Sequence, residues 1–210
     1  MIEIIPSINV ADFNEAVLRI RQVESFVKWV HLDVSDGTFS KHVSWHNPHD
    51  LVGFEPKVKI EVHLMIENPE KEIDEWLMKP ISRIIFHQEA TRNHQLIIEK
   101  IKKAKKKVGI AIRPDTSWLK LFPYLDTVDM LQLLAVSPGP SGQNFQEEIL
   151  HKIGHIRSVS KKCIIEIDGG VNIEVVQACA REGANVFVAG KAIFGAEDIK
   201  KAIKELKSGK

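Results

Sequence analysis

The feature that most constrains the fold of this chain is a repeated alternation between two hydrophobic periods. Short runs rich in Val and Ile recur about every 20 to 30 residues, and each is followed by a segment of helical period. The sequence therefore predicts parallel strands at residues 3–8, 29–34, 58–64, 83–86, 108–112, 130–136, 164–167 and 186–189. The clearest helices are predicted at residues 13–27, 70–78, 94–105, 145–159, 173–182 and 196–207. Gly183 stands where a helix should end, and Asn68 and Asn172 stand where helices should begin.

Eight such strand–helix units favour a closed barrel over an open doubly wound sheet, which usually has fewer strands. No GxGxxG motif follows the first strand, so a dinucleotide-binding fold lacks its sequence signature. A chain of 210 residues is long enough for one buried core and short for two domains, and no linker interrupts it. We predict an α/β fold, a single (β/α)8 TIM barrel that spans residues 1–210.

Composition excludes several classes of partner. The net charge of +1 gives no electrostatic reason to expect binding to nucleic acid or to an acidic membrane. No apolar run approaches the roughly 18 residues that a membrane span needs, and the first residues lack the zones of a signal peptide. Cys163 and Cys179 form no motif and are interpreted as reduced packing residues. We expect a cytoplasmic protein.

Polar side chains end three of the predicted strands. His31 and Asp33 are two residues apart, so they share one strand face; His63 ends the third strand, and Asp168 ends the seventh. Active groups of parallel barrels gather at this carboxyl end. A lone buried His is usually a hydrogen-bonded core residue, but two His and two carboxylates together form a ligand set for Zn²⁺, Fe²⁺, Mn²⁺ or Co²⁺. We interpret them as a metal site.

Glycine-rich turns follow the last three strands and predict a phosphate site. Backbone N–H groups of such turns can approach an anion closely, and barrels commonly bind phosphate after strands seven and eight. Simple tight turns are the alternative for each one alone. The turns are Pro138-Gly139-Pro140-Ser141-Gly142-Gln143, Gly169-Gly170 and Gly190-Lys191.

Two deeper carboxylates, Glu61 and Glu166, are predicted to share the inward face with the proposed ligands. Lys59 lies on the same face and could pair with them, so we interpret the group as a structural ion network rather than a catalytic one. The six lysines within residues 100–107 are interpreted as the solvated end of a helix. The remaining histidines are mostly interpreted as surface or loop residues, and His87 is the only one of them that ends a strand.

Taken together, these residues resemble the ribulose-phosphate 3-epimerase family over almost the whole chain. The motifs that carry the resemblance are Pro6-Ser7-Ile8 with Ala11-Asp12-Phe13; His31-Leu32-Asp33-Val34 with Asp36-Gly37; Val62-His63-Leu64-Met65; Phe86-His87 with Glu89-Ala90; Pro138-Gly139 with Gly142-Gln143 and Phe145; Asp168-Gly169-Gly170-Val171-Asn172; and Val188-Ala189-Gly190 with Ala192-Ile193-Phe194.

The resemblance implies a barrel of the ribulose-phosphate-binding type that interconverts D-ribulose 5-phosphate and D-xylulose 5-phosphate through a 2,3-enediolate. It implies that His31, Asp33, His63 and Asp168 bind one divalent metal ion, with zinc preferred over iron, manganese or cobalt. Asp33 and Asp168 would also serve as acid and base. The substrate and its phosphate would contact Ser7, His63, Met65, Gly139, Gly142, Gly169, Gly170, Gly190 and Lys191. By the same analogy we expect a homo-oligomer, a dimer or larger.

The chain also departs from the family pattern at several positions. Many members carry Met where this chain has Ser35 and Leu134, and Lys191 replaces a usual serine. The loop after the second strand, at residues 38–42, and the loop after the sixth, at Pro140 and Ser141, differ as well, as does Asn9-Val10. The altered loops leave an epimerase of a longer ketose phosphate, such as allulose 6-phosphate, as an alternative, and the substituted lining leaves a sugar-phosphate-binding protein without activity. A third alternative is a decarboxylating or aldol barrel, although such enzymes rarely need two His and two Asp as a metal set.

Overall fold

The computed structural model describes residues 2–209 and confirms the (β/α)8 TIM barrel. Eight parallel strands pair in chain order, and β8 returns to β1 to close the ring. The strands are β1 (Glu3–Ile8), β2 (Trp29–Ser35), β3 (Lys59–Met65), β4 (Ile81–His87), β5 (Lys107–Ile112), β6 (Met130–Leu134), β7 (Ile164–Asp168) and β8 (Val186–Ala189). The single-domain assignment to 1–210 stays a prediction, and its two terminal residues lie outside the described range.

Helices cover the outside of the barrel. They are α1 (Phe13–Val23), α2 (Ile73–Trp76), α3 (His94–Lys103), α4 (Ile149–Val159), α5 (Ile173–Glu182), α6 (Lys191–Phe194) and α7 (Ile199–Ser208). The predicted caps of α5 are confirmed, because the Asn172 side chain accepts from Val175 N and Gly183 ends the helix in the left-handed region at φ 111°.

One predicted helix, at residues 70–78, is wrong as a single element. The structure instead has a 3-10 turn at Pro69–Lys71 followed by the four-residue α2. Asn68 has a left-handed backbone, at φ 53°, and its side chain makes no cap hydrogen bond. The 3-10 turn occupies residues that would have formed the first turn of the predicted helix, so only the short α2 follows it.

The core lies between the strands and the helices. Outward-facing residues of β2 and β3, such as Val30, Leu32 and Val62, belong to this apolar layer, as the period-2 pattern predicts. On the opposite face of the same strands lie buried polar side chains, which are His31, Asp33, Ser35, Glu61 and His63. Across residues 2–209, no helix is long and apolar enough to cross a membrane.

The N-terminus of α7 allows a test of this fold that is separate from the site. The Asp198 side chain accepts from Lys201 N at 2.9 Å and satisfies an otherwise unpaired donor of the first turn. Asp198→Ala is expected to lower the free energy of unfolding by about 1 kcal/mol, measured by urea denaturation. Asp198→Asn keeps the acceptor and should retain most of the stability; equal losses in both variants would contradict the cap.

Candidate metal and substrate site

Strand register brings the predicted ligands together at the carboxyl end of the barrel. Asp33 on β2 is the direct register partner of His63 on β3, and His31 lies two residues earlier on β2. Asp168 is the last residue of β7. Both imidazoles are fully buried, and both carboxyl groups retain 7% of their exposure, so the cluster lies just below the barrel mouth.

The four side chains face a common point. His63 Nδ1 lies 3.3 Å from Asp33 Oδ1 and 3.2 Å from Asp168 Oδ2. His31 Nε2 lies 3.4 Å from Asp33 Oδ1 and 3.8 Å from Asp168 Oδ2. One ligand atom from each residue falls within 4.8 Å of all the others. Two nitrogens and two carboxylate oxygens so placed can hold one divalent ion and leave coordination positions for substrate.

Two further observations fit a cation at this point. His31 Nε2 is buried without a hydrogen-bond partner, although it faces the carboxylates. Burial would lower the pKa of His31 and of His63, yet hydrogen bonds to the neighbouring carboxylates raise both. Burial would likewise raise the pKa of Asp33, but the two imidazoles hold it well below its usual range. The cluster therefore favours positive charge at its centre, which a divalent ion supplies in place of protons.

Neighbouring strands fix the two carboxylates. Ser7 on β1 donates from Oγ to Asp33 Oδ2 at 2.8 Å, which places this predicted substrate residue against the site. Gln132 on β6 donates from Nε2 to Asp168 Oδ2 at 3.2 Å. Sequence reasoning missed Gln132, although a polar residue inside the apolar strand Met130–Leu134 was a signal for it.

His87 is a further residue of the site to which the sequence analysis assigned no role, although it ends a strand. It is fully buried at the end of β4, and its Nε2 lies 2.8 Å from His63 Nε2. Its Nδ1 lies 3.3 Å from Glu89 Oε2. Burial, with the nearby charge of His63, lowers the pKa of His87 to about 4, so the ring is neutral. A neutral His87 that donates to Glu89 accepts from His63 Nε2, which leaves Nδ1 of His63 facing the cluster.

The layer below contains Glu61, Glu166 and a cation. The predicted pairing with Lys59 is wrong, since that side chain is exposed and lies over the Trp29 ring. Arg83 from β4 pairs with Glu61 instead. Burial and the nearby charge of Glu61 raise the pKa of Glu166 well above its usual range.

A cavity of about 480 Å³ opens above the cluster and reaches the glycine-rich turns. A Cβ at Gly170 would lie 2.5 Å from the backbone nitrogen of Phe145, and Gly170 has φ 66°, so only glycine lets these two loops approach. The predicted substrate residues that line the cavity are Ser7, Met65, Gly139, Gly142, Gly169, Gly170, Gly190 and Lys191. His63 lies beneath them in the metal cluster.

The departures from the family pattern fall into two groups. Leu134 and Lys191 line the cavity directly. Ser35 is buried beneath the loop after β2, where its hydroxyl donates to His42 O at 2.7 Å. His42 Nε2 lies 2.9 Å from Asn9 Oδ1, and Asn9 Nδ2 donates to Gly139 O at 3.3 Å. These contacts join the two altered loops on one side of the cavity.

Comparison with solved structures shows the same fold in two enzymes named for sugar phosphates. 3-Hexulose-6-phosphate synthase from Salmonella typhimurium matches with a TM-score of 0.76 and 14% identity, covering 99% of this chain and 98% of that one. 3-Keto-L-gulonate-6-phosphate decarboxylase from Vibrio cholerae matches with a TM-score of 0.74 and 13% identity, covering 100% and 96%. At these identities the likeness concerns the fold alone.

Comparison of sequences is more specific. The chain is 34% identical over 218 residues to a ribulose-phosphate 3-epimerase of Bacillus subtilis, covering 100% of both chains. It is 31% identical over 217 residues to that of Eremothecium gossypii, covering 97% of this chain and 91% of the relative. The model of the ribulose-phosphate 3 epimerase family matches residues 3–194. The paired His and Asp residues of the site thus occur in a chain that belongs to the ribulose-phosphate 3-epimerase family.

Proposed function

We propose that this chain is a metal-dependent 3-epimerase that interconverts D-ribulose 5-phosphate and D-xylulose 5-phosphate. The observation that carries the proposal is the pair of carboxylates, Asp33 and Asp168, which reach one cluster from β2 and β7. Membership of the family and full-length relatives bearing that name support epimerase activity. Inversion at C3 needs two proton carriers at one carbon, and these two groups stand at the base of the cavity.

The residues that would hold the metal are His31, Asp33, His63 and Asp168. A divalent ion held there would supply Lewis acidity toward the ketose oxygens, which would make the C3 proton more acidic. Zinc is our first choice because two imidazoles and two carboxylates suit it, while iron, manganese and cobalt accept the same donors.

The proton transfers are assigned to the two aspartates. One carboxylate removes the C3 proton and generates a planar 2,3-enediolate, and the other returns a proton to the opposite face of C3. The roles exchange when the reaction runs in reverse. Ser7 and Gln132 each donate one hydrogen bond to these carboxylates, which restricts their rotation. Met65 lines the wall beside them and is almost fully buried, so it excludes water from the enediolate.

The phosphate is assigned to the glycine-rich end of the cavity. Gly142, Gly170 and Gly190 offer close backbone approach there, and Lys191 adds a positive charge beside them. The C5 phosphate would then lie at one end of the cavity and C3 at the metal cluster. This separation positions the substrate by its non-reacting part.

Lys191→Met is expected to raise the KM for ribulose 5-phosphate about tenfold or more, because a charged hydrogen bond to phosphate contributes roughly 1.5–3 kcal/mol. Turnover at saturation should change much less, since Lys191 lies away from C3. Steady-state kinetics at low and high salt measure both parameters, and the difference in KM should shrink at high salt. Lys102→Met on the exposed end of α3 is the matched control. An unchanged KM would remove Lys191 from the phosphate site.

One observation favours a second candidate substrate. Asn9 and His42 connect the loops after β2 and β6, both of which depart from the family pattern. Loops rebuilt on one side of the cavity could accept a longer ketose phosphate such as allulose 6-phosphate. The chemistry at C3 would be identical.

Turnover of the metal-loaded protein on pentulose and hexulose phosphates tests the proposal. We expect ribulose 5-phosphate to give the higher kcat/KM. Formation of xylulose 5-phosphate is measured by NMR. A higher value for the hexulose phosphate would reassign the substrate. Binding of either sugar without epimerisation or C3 proton exchange would support a binding protein and contradict the proposed reaction.

A further inference from the structure

A row of three side chains runs beneath the proposed metal site. His31 on β2 is the register partner of Glu61 on β3, and Glu61 is the register partner of Arg83 on β4. We propose that Glu61, held in place by Arg83, is a positioning residue that fixes the His31 ring with Nε2 facing the metal. The inference deepens the proposed function and depends on its metal site, but it does not depend on which sugar is the substrate.

Both oxygens of Glu61 are engaged. Oε1 lies 2.8 Å from His31 Nδ1, and Oε2 accepts a hydrogen bond from Arg83 Nη1. The guanidinium is itself confined, because it is 4% exposed and lies 4.2 Å from the centroid of the Trp29 ring. Because the Arg83 guanidinium holds Oε2 of Glu61 in place, Oε1 can point in one direction only. That direction is toward His31.

The position of Arg83 depends on an irregularity in the sheet. The register between β3 and β4 shifts between Ile60 and Glu61, so that Ile60 faces Ile81 while Glu61 faces Arg83. Without the shift Ser82 would follow Ile81 as the next partner, and it is too short to reach Glu61. The shift therefore places Arg83, and not Ser82, opposite Glu61.

The hydrogen bond to Glu61 decides which nitrogen of His31 is available. With Nδ1–H donating to Glu61, Nε2 carries the lone pair, and this is the buried nitrogen that has no partner. Metal-binding His residues commonly donate their other N–H to a carboxylate, which fixes the ring and makes the ligand more basic. His63 shows the opposite arrangement, with Nε2 on His87 and Nδ1 facing the carboxylates.

A purely structural ion pair is the alternative explanation for Glu61 and Arg83. Glu166 provides the comparison, because it is equally buried in the same interior and both of its oxygens lack hydrogen-bond partners. Removing the carboxylate that contacts His31 Nδ1 should change metal affinity. Converting Glu166, whose oxygens have no hydrogen-bond partner, to an amide should not.

The first test measures the binding of Co²⁺ or Zn²⁺ alone, by competition with a chromophoric chelator and without substrate. Glu61→Gln is expected to weaken binding about 10- to 100-fold, the usual effect of losing such a partner. Glu166→Gln, the matched carboxyl-to-amide control, should bind within about twofold of wild type. Equal affinity of Glu61→Gln and wild type would overturn the inference.

A double variant separates loss of metal binding from loss of folding. Glu61→Leu with Arg83→Met removes both charges together, a change that buried ion pairs often tolerate without loss of stability. We expect a melting temperature close to wild type and the same loss of metal affinity as in Glu61→Gln. Wild-type affinity in this folded double variant would show that the pair is structural only.

A further measurement needs no variant. In the ¹⁵N spectrum of Zn²⁺-loaded wild type, His31 should coordinate through Nε2 and retain a slowly exchanging Nδ1–H, while His63 coordinates through Nδ1. Coordination of His31 through Nδ1, or no binding of metal at all, would overturn the inference. Weak metal binding in Glu61→Gln, together with no epimerase activity in the metal-loaded wild type, would uphold the inference and refute the proposed function. The two failures are therefore distinguishable.

Discussion

Asp33→Asn and Asp168→Asn are each expected to abolish proton exchange at C3 while leaving the barrel folded. An amide cannot accept the C3 proton at neutral pH, and loss of one acid–base group typically lowers a rate by about 10²- to 10⁴-fold. Each substitution also replaces a carboxylate oxygen of the metal cluster, so the loss should lie at or above the upper end of that range. Incorporation of solvent deuterium at C3, followed by ¹H NMR, measures exchange directly.

The matched control for these variants is Glu166→Gln, which makes the same carboxyl-to-amide change one layer deeper on β7. Its exchange rate should stay close to wild type. Circular dichroism should show the same helix and strand content in all three variants, because Asn has nearly the shape of Asp. Near-normal exchange in either aspartate variant would refute the two-carboxylate mechanism.

Removal of the metal is the second change with a large expected effect. Dialysis against a strong chelator should eliminate epimerase activity, because the Lewis acidity toward the C2 and C3 oxygens is then missing. The melting temperature should fall as well. A ligand present at about 1,000 times its Kd stabilises the folded state by roughly 4 kcal/mol, which corresponds to about 10 °C for a domain of this size.

The barrel should nevertheless stay folded without metal, since its core is a separate layer of aliphatic side chains such as Ile20, Val62 and Ile153. Re-addition of Zn²⁺ or Co²⁺ should restore both activity and melting temperature in wild type. The same addition should not restore exchange in Asp33→Asn. Full activity after complete removal of metal, verified by elemental analysis, would contradict the metal-dependent reaction.

Much of the fold could be predicted because parallel strands buried on both faces leave a strong periodic signal. The alternation located all eight strands, although β4 begins at Ile81 and ends at His87, beyond the predicted 83–86. Helix ends were less accurate: α1 ends at Val23 rather than at residue 27. Local turns determine where these helices begin and end. The left-handed backbone of Asn68, which precedes α2, is one example.

The site was predictable to the extent that it depends on strand parity. His31, Asp33 and His63 follow from side chains alternating along a strand and from strand ends meeting at one mouth. The pairing of Arg83 with Glu61 could not be found in this way, because a register shift between β3 and β4 placed these two residues opposite each other. Such a shift depends on pairing between two strands and leaves no periodic trace in either one. The parity rule could have found His87, which lies on the same face of β4 as Arg83.

The most direct test of the central claim is a crystal structure of the metal-loaded protein with anomalous diffraction at the absorption edge of the bound metal. We predict one anomalous peak per chain, roughly 2.0–2.2 Å from His31 Nε2, His63 Nδ1 and one oxygen each of Asp33 and Asp168. A peak elsewhere, or these four side chains directed into the helical layer, would contradict the account.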